Sequence, residues 1–257
     1  MDLSGSPQFT FEEIQPASSE GETIVIGRLS HLRGVRNTRG FLYRSPGPSV
    51  VGDLAEIPHS IEERVECLIR GMKRQVLFIQ GGGARVHGEW DNKLVDSLKR
   101  ELGPTYAVRY PRMPNEDDPN YATWKAALQK EIVGLNDGAI LVGHSIGGTI
   151  MINALAEQPP TRRLGAIFLI SVPFVGEGGW PPDDWKPQRE LGKKLPRGVP
   201  IYIYQGLADQ TAPPAHADLY ARAIPQAKVH RLPGRDHQLN NDLREVAEAI
   251  KTLAAAA

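Results

Sequence analysis

The stretch Gly138-Ala-Ile-Leu-Val-Gly-His-Ser-Ile-Gly-Gly148 decides the fold of this 257-residue chain. The apolar run from Ala139 to Val142 predicts a buried strand, and the residues from Gly148 to Glu157 predict a helix. Between them, Gly143-His-Ser-Ile-Gly147 has the G-x-S-x-G pattern of a nucleophile elbow, a sharp strand-to-helix turn that exposes a serine. The strand before the pattern and the helix after it make Ser145 a candidate nucleophile.

The residue types of this turn have a physical reason. A serine hydroxyl becomes a good nucleophile only when a base takes its proton and the backbone aims it at the substrate. Side chains at positions 143 and 147 would clash where strand and helix approach each other, so Gly143 and Gly147 are expected there. The helix also points its free N–H groups toward Ser145. The alternative is a glycine-rich turn with an incidental serine.

Composition bounds the class of protein. The 30 basic and 30 acidic residues balance, which argues against a dedicated nucleic-acid partner. The single cysteine, Cys67, cannot form an internal disulfide and is compatible with a reducing compartment. No apolar run approaches the roughly 20 residues that span a bilayer, and the first residues lack the pattern of a secretory signal. We therefore expect one sizeable α/β domain in the cytoplasm, with no membrane partner.

The first 71 residues differ from the rest of the chain. They contain scattered Gly, Pro and Ser with short apolar runs, and residues 57–72 have the spacing of a short amphipathic helix. We expect residues 1–71 to be a poorly ordered N-terminal extension and residues 72–257 to form the domain. One alternative is an arm that binds a protein partner. Another is a functional product that begins at Met72.

From Lys73 onward, predicted strands and helices alternate. The predicted strands cover residues 75–79, 106–110, 139–142, 166–170, 201–204 and 228–232. The predicted helices cover residues 90–102, 121–135, 148–157, 215–223 and 239–253. This alternation predicts an α/β fold, a mostly parallel sheet with helices on both faces. The carboxyl ends of its strands should share one edge, where ligands bind.

Two further candidates for catalysis follow predicted strands. Asp209 ends the turn after Ile201-Tyr-Ile-Tyr204, and His237 ends the turn after the strand at residues 228–232. The chain order Ser, Asp, His is that of a hydrolase triad on such a sheet. His237 would take the proton of Ser145, and Asp209 would hold the imidazole.

The assignment of Asp209 as the triad acid has two alternatives. Asp209 has an alternative role as a turn aspartate that caps the following loop. Asp236 is a rival acid, but it adjoins His237 in the sequence and is poorly placed to reach the far ring nitrogen. No His, Cys or Asp grouping has the spacing of metal ligands, so no metal is expected.

The oxyanion hole requires two backbone N–H groups. One is expected from Ile146, the residue after the nucleophile, and the other from the loop Gln80-Gly-Gly-Gly-Ala84. Gly82 is the first choice and Gly83 the second. A dinucleotide-binding loop is the rival interpretation, but Val86 occupies the position of the last glycine in G-x-G-x-x-G.

With these motifs the chain resembles the α/β-hydrolase superfamily, and within it the small, nearly lidless branch of retinoblastoma-binding-protein-like serine hydrolases. The resemblance runs from Met72 to Leu253. It rests on the glycine-rich loop with His87-Gly88 and Trp90, Met113-Pro114, Trp124 ahead of Glu131, Gly143-His-Ser-Ile-Gly147, Asp209 before Pro213, and Asp236-His-Gln-Leu-Asn-Asn241. Asp236 departs from the glycine that commonly precedes the histidine. The resemblance implies esterase-like serine hydrolysis with no cofactor.

The segment from Val172 to Trp185 is too short for a lid of several helices. Its position after a strand suggests that it forms a wall of the pocket, with Phe174 and Trp180 as candidate substrate-binding residues together with Gly83. The alternative is that these aromatic side chains cover the core.

The expected function is therefore hydrolysis of a small ester, thioester or amide through an acyl-enzyme intermediate. An acyltransferase or perhydrolase would use the same triad. A third possibility is a protein-interaction module with the same fold and little turnover, for which the N-terminal extension would be the docking arm.

Overall fold

The computed structural model describes residues 10–14, 24–28, 41–44, 73–182 and 186–255. The chain divides into two compact units, Met1–Glu63 and Arg64–Ala257. In the first unit, β1 (Thr10–Ile14), β2 (Ile24–Arg28) and β3 (Phe41–Arg44) form an antiparallel sheet in the order β1-β2-β3. The predicted helix at residues 57–72 lies outside the described residues. The poorly ordered extension, with its boundary after residue 71, stays a prediction.

The second unit is built on a six-stranded sheet. Its strands are β4 (Arg74–Ile79), β5 (Tyr106–Arg109), β6 (Ala139–His144), β7 (Leu164–Ile170), β8 (Ile201–Gly206) and β9 (Lys228–Leu232). They lie in the order β5-β4-β6-β7-β8-β9, and every neighbouring pair is parallel. Every residue of β6 is buried, as expected for a strand covered on both faces. The predicted α/β class is confirmed.

Helices cover both faces of this sheet. They are α1 (Asp91–Leu102), α2 (Tyr121–Val133), α3 (Ser145–Glu157), α4 (Leu191–Lys194), α5 (Ala215–Ala223) and α6 (Arg244–Ala255). Side chains alternate along β4, so that Leu77 and Ile79 pack into one core with α2, α3 and α5. Val76 and Phe78 pack into a second core with α1 and α6.

The last helix begins later than the sequence pattern predicts. The apolar pattern predicts a start at Leu239, but α6 begins at Arg244. Leu239–Asn241 form a short turn whose φ angles are 47°, 56° and 56°, a left-handed conformation that ends any right-handed helix. The guanidinium of Arg235 donates to the Leu239 carbonyl at 3.0 Å and to the Asp242 carboxylate at 3.1 Å, which holds the turn. Leu239 is nevertheless buried, so its apolar character extended the helical pattern.

The connection from β7 to β8 agrees with the expected minimal lid. Among its described residues, 171–182 and 186–200, the helical structure consists of the four-residue helix α4. Within the described ranges, no helix has both the length and the apolar character needed to cross a bilayer.

Candidate active site

Ser145 lies at the turn between β6 and α3. It is the first residue of α3, and its φ of 50° falls in the left-handed region, which is unusual for a residue with a side chain. Such a conformation costs about 1–3 kcal/mol and persists only where the surroundings enforce it. The sharp strand-to-helix turn that the motif predicts is therefore present.

Close packing enforces this turn. A Cβ atom at position 147 would lie 1.9 Å from the Gln80 carbonyl oxygen, and one at position 143 would lie 2.5 Å from the Gly148 Cα. The expected lack of space at Gly143 and Gly147 is confirmed, although Gly147 meets the loop after β4 rather than its own strand. Gly148, which the motif does not specify, is equally confined, because a Cβ there would lie 2.4 Å from Val172 Cγ1.

Two hydrogen bonds connect the three candidate catalytic side chains. His237 Nε2 is 3.0 Å from Ser145 Oγ, and His237 Nδ1 is 2.9 Å from Asp209 Oδ2. The three residues follow β6, β8 and β9, whose carboxyl ends meet at one edge of the sheet. The structure thus brings together all three residues that were selected from the sequence.

Asp209 combines both of the roles considered for it. Its Oδ1 accepts hydrogen bonds from the backbone N–H groups of Thr211 and Ala212 at 2.8 Å and 2.9 Å, and Gln205 Nε2 donates to Oδ2 at 3.0 Å. Burial opposes its charge, but the hydrogen bonds from His237 and from the two backbone groups outweigh burial and lower the pKa of the carboxyl. Asp209 is therefore a fixed carboxylate that holds both the turn and His237.

The rival acid Asp236 faces its own turn. Its side chain is exposed, its Oδ1 accepts from the Asn240 N–H at 2.7 Å, and its own N–H donates to Asn240 Oδ1 at 3.1 Å. This geometry agrees with the preference for Asp209 as the partner of His237.

Of the three glycines in the glycine-rich loop, only Gly82 has an N–H group without an acceptor among the described residues. The Gly81 N–H donates to Asp91 Oδ2 at 2.7 Å, and the Gly83 N–H donates to the Glu116 carbonyl at 2.6 Å. Among the described residues, the Gly82 N–H has no acceptor. A Cβ at Gly82 would lie 2.9 Å from Ile146 Cγ2, so Gly82 packs against Ile146. The Ile146 N–H lies in the first turn of α3, where the helix offers no acceptor.

Sequence reasoning missed two carboxylates that hold this loop. Glu116 Oε2 accepts from Gln80 Nε2 at 2.6 Å and from the His87 N–H at 3.0 Å. Asp91 contacts His144 inside the core at 2.9 Å. No motif marks either residue. The available signal is that Asp91 begins the helix that follows the glycine-rich loop.

The candidate substrate residues Phe174 and Trp180 pack near α5. The Phe174 ring meets Tyr220 edge to face at 5.1 Å between centroids, and the Trp180 ring meets His216 at 6.1 Å. Phe174 also lines a cavity of about 550 Å³, whose lining includes none of Ser145, Asp209 and His237. An acyl-binding role for Phe174, Trp180 and Gly83 stays a prediction.

Three other histidines have structural contacts. His87 stacks on Tyr110 at 4.1 Å and His230 on Tyr204 at 4.5 Å, whereas His216 Nδ1 accepts from the Phe174 N–H at 3.0 Å. In the part of the chain that the structure describes, no three His, Cys, Asp or Glu side chains converge as metal ligands would.

A comparison with protein families identifies the family of the second unit. The model of the alpha/beta hydrolase family matches residues 76–250. The chain belongs to this family. No curated protein matches this hydrolase-family chain in sequence.

Solved structures share the fold of this alpha/beta hydrolase. The ydeN gene product from B. subtilis is 21% identical with a TM-score of 0.58, and the match covers 71% of this chain and 100% of that one. Est1E from Butyrivibrio proteoclasticus, solved with ferulic acid, is 16% identical with a TM-score of 0.51 and coverages of 71% and 88%. The esterase domain of a Rhodothermus marinus protein is 21% identical with a TM-score of 0.50 and coverages of 70% and 85%. At these identities the likeness concerns the fold alone.

Proposed function

We propose that this chain is a serine hydrolase that cleaves a small carboxylic ester, thioester or amide through an acyl-enzyme intermediate. The observation that carries the proposal is the chain of two hydrogen bonds from Ser145 through His237 to Asp209, at 3.0 Å and 2.9 Å. These lengths fall in the range over which a nucleophile, a base and an orienting acid cooperate.

In the first half-reaction, His237 Nε2 takes the hydroxyl proton of Ser145 while Ser145 Oγ bonds to the carbonyl carbon of the substrate. The Asp209 carboxylate holds the Nδ1–H tautomer and stabilises the imidazolium that forms. The N–H groups of Gly82 and Ile146 would donate to the oxyanion of the tetrahedral intermediate. His237 then gives its proton to the leaving group, and the acyl-enzyme remains.

In the second half-reaction, a water molecule replaces the leaving group. His237 takes a proton from this water, whose oxygen bonds to the acyl carbon, and then returns the proton to Ser145 Oγ as the acid leaves. Neither half-reaction requires a cofactor or a metal ion.

The family branch, the size of the acyl group, the cellular location and the partner are inferred from particular residues of the sequence. The motifs around His87-Gly88, Met113-Pro114 and Asp236-His237 favour the retinoblastoma-binding-protein-like branch of the family. The short connection between β7 and β8 favours small acyl groups, bound beside Phe174 and Trp180. A cytoplasmic location is compatible with the single cysteine, Cys67. A protein partner would dock on the N-terminal extension.

A fluorophosphonate probe and a short-chain p-nitrophenyl ester test the proposal. Wild type should react with the probe and turn over the ester, whereas Ser145→Ala should do neither, because loss of a triad serine lowers kcat by about 10⁶. A chain that starts at Met72 should behave as wild type if residues 1–71 serve only a partner.

The outcomes separate the candidate functions. Faster product formation on adding an alcohol or peroxide would favour the acyltransferase or perhydrolase, which uses another acceptor. A folded wild type that neither reacts with the probe nor cleaves the ester would contradict the hydrolase and favour the interaction module.

A further inference from the structure

A second carboxylate–imidazole pair lies behind the candidate triad. Asp91 Oδ2 is 2.9 Å from His144 Nδ1, and the exposed fractions of the two side chains are 0% and 1%. Asp91 is the first residue of α1, and His144 is the residue before Ser145. A buried ionic pair is costly to desolvate, so the fold keeps it only with well-formed hydrogen bonds.

Both ring nitrogens of His144 face hydrogen-bond acceptors. Nδ1 faces the Asp91 carboxylate, and Nε2 is 3.1 Å from the His237 carbonyl oxygen, which can only accept. A neutral imidazole has one N–H, so satisfying both contacts requires a second proton in the pair. Asp91 also accepts from the Gly81 N–H at 2.7 Å and from Gln238 Nε2 at 3.2 Å, and these bonds favour its ionised form. The second proton therefore belongs to His144, which is an imidazolium.

The direction of the pKa values agrees with this geometry. Burial opposes the charge on His144, but attraction to Asp91 and the hydrogen bonds to Asp91 and His237 raise its pKa. Burial likewise opposes the charge on Asp91, and His144 with the Gly81 and Gln238 hydrogen bonds lowers its pKa. The other titratable groups nearby are Asp209, His237 and Tyr110.

The pair contacts the chain beside each part of the site. Asp91 holds Gly81, next to the free amide of Gly82. It also holds the Gln238 side chain, while His144 holds the carbonyl of His237, so the chain is fixed immediately after the base. We propose that the Asp91–His144 pair, with His144 positively charged, is a positioning unit that aligns the oxyanion loop and His237 with Ser145. This role rests on the proposed serine hydrolysis.

The variant Asp91→Asn removes the negative charge of Asp91 and keeps a side chain that can make the same hydrogen bonds. Gln238 Oε1 has no partner among the described residues, so the Gln238 amide can rotate and accept from the new Asn NH₂ group. The asparagine oxygen can still accept from Gly81 and His144. With a neutral partner His144 loses a proton, and its Nε2 lone pair then opposes the His237 carbonyl oxygen. The defect should therefore appear at His237.

Kinetics of the full chain test the positioning role. A misplacement of about 1 Å can lower the rate about 10²-fold, so Asp91→Asn should lower kcat for the p-nitrophenyl ester by about 10–10² while KM stays within about threefold. The matched control Asp96→Asn removes an exposed carboxylate from the same helix and should keep wild-type kcat. A folded Asp91→Asn with wild-type kcat would overturn the proposal and leave the proposed function intact. A wild type that does not react with the fluorophosphonate probe would overturn both.

Nuclear magnetic resonance tests the charge without any activity. In histidine-labelled wild type, and in Ser145→Ala, the His144 ring should show two protonated nitrogens at neutral pH, and His144→Gln assigns these signals by removing them. This measurement applies even if Asp91→Asn does not fold. A single protonated nitrogen on His144 would overturn the inference.

Discussion

At the scale of single residues, the hydrogen bonds within the protein decide which groups of the candidate site are fixed and which can bind a substrate. The Asp209 carboxylate accepts four hydrogen bonds, from His237, Gln205, Thr211 and Ala212, so it cannot rotate away from the imidazole. In the glycine-rich loop, by contrast, the amides on both sides of Gly82 are occupied and its own N–H is not. A donor held ready in this way needs no reorganisation when charge develops on a substrate oxygen.

Gly82→Ala should impair catalysis more than stability. The new Cβ would lie 2.3 Å from Pro119 Cγ and 2.9 Å from Ile146 Cγ2, so the loop must shift and move its free amide. Loss of one oxyanion donor costs about 10²–10³ in kcat, and we expect a loss of that order. Steady-state kinetics on the p-nitrophenyl ester measure it.

The matched control is Gly88→Ala, in the turn that follows the same loop. Among the described residues, its Cβ would meet only Arg112 Nη2, at 3.8 Å, which is an ordinary contact. Equal kcat values for the two variants would contradict the assignment of Gly82 as a donor.

At the scale of elements, the elbow depends on the distance between α3 and its neighbours. Gly143, Gly147 and Gly148 let the helix lie against the sheet, the loop after β4 and Val172, without any intervening side chain. The left-handed φ of Ser145 follows from this packing, since the chain must reverse within one residue. Strand, turn and helix therefore act as one structural unit.

Gly147→Ala should destabilise the fold strongly. Its Cβ would lie 1.9 Å from the Gln80 carbonyl oxygen, a backbone atom that cannot rotate away, so we expect a loss of about 3 kcal/mol or more in the free energy of unfolding. Urea denaturation measures it. At the control position Gly103, φ is 74° and ψ is −171°, and no described residue lies within 4 Å of an added Cβ. Gly103→Ala should therefore show the cost of backbone strain alone, about 1–3 kcal/mol. A loss at Gly147 no larger than the loss at Gly103 would contradict the expected clash with the Gln80 carbonyl.

At the scale of the whole molecule, the buried charges link stability to pH. Folding raises the pKa of His144, through its attraction to Asp91 despite burial. The contribution of His144 to the free energy of unfolding is therefore complete below its unfolded pKa of about 6.5. It is lost as the pH rises through the folded pKa. Folding lowers the pKa of Asp91 despite burial, so its contribution is present above about pH 3.9 and is lost as the pH falls through the folded pKa.

The free energy of unfolding should therefore fall with rising pH above about 6.5 in wild type, relative to Asp91→Asn. Urea titrations of both proteins from about pH 5 to about pH 9 measure the difference. His216 and His230 have pKa values that burial lowers, and they affect both proteins alike. Parallel pH profiles for the two proteins would contradict an ionic Asp91–His144 pair.

The sequence alone predicts the α/β class, which the structure confirms, and it selects Ser145, Asp209 and His237, which two hydrogen bonds connect in the structure. Alternating apolar runs report burial directly, and a parallel sheet brings its strand ends to one edge whatever the loops do. The start of the last helix was predicted wrongly, because the apolar pattern records that Leu239 is buried and not that its φ is 47°. Local sequence patterns therefore indicate which residues are buried and where turns occur. They indicate less about whether the backbone is right-handed or left-handed at a given residue.

Only the tertiary structure decided which hydrogen bonds Asp91, Glu116 and Gln238 make around the candidate site. Asp91 is 53 residues from His144 and 147 from Gln238 along the chain, and no local pattern relates positions so far apart. Which amide of the glycine-rich loop stays free likewise depends on acceptors brought in by distant segments. The chain thus determines its fold and its reactive side chains through short-range patterns. Its hydrogen bonds and buried charges exist only once the sheet has brought distant segments together.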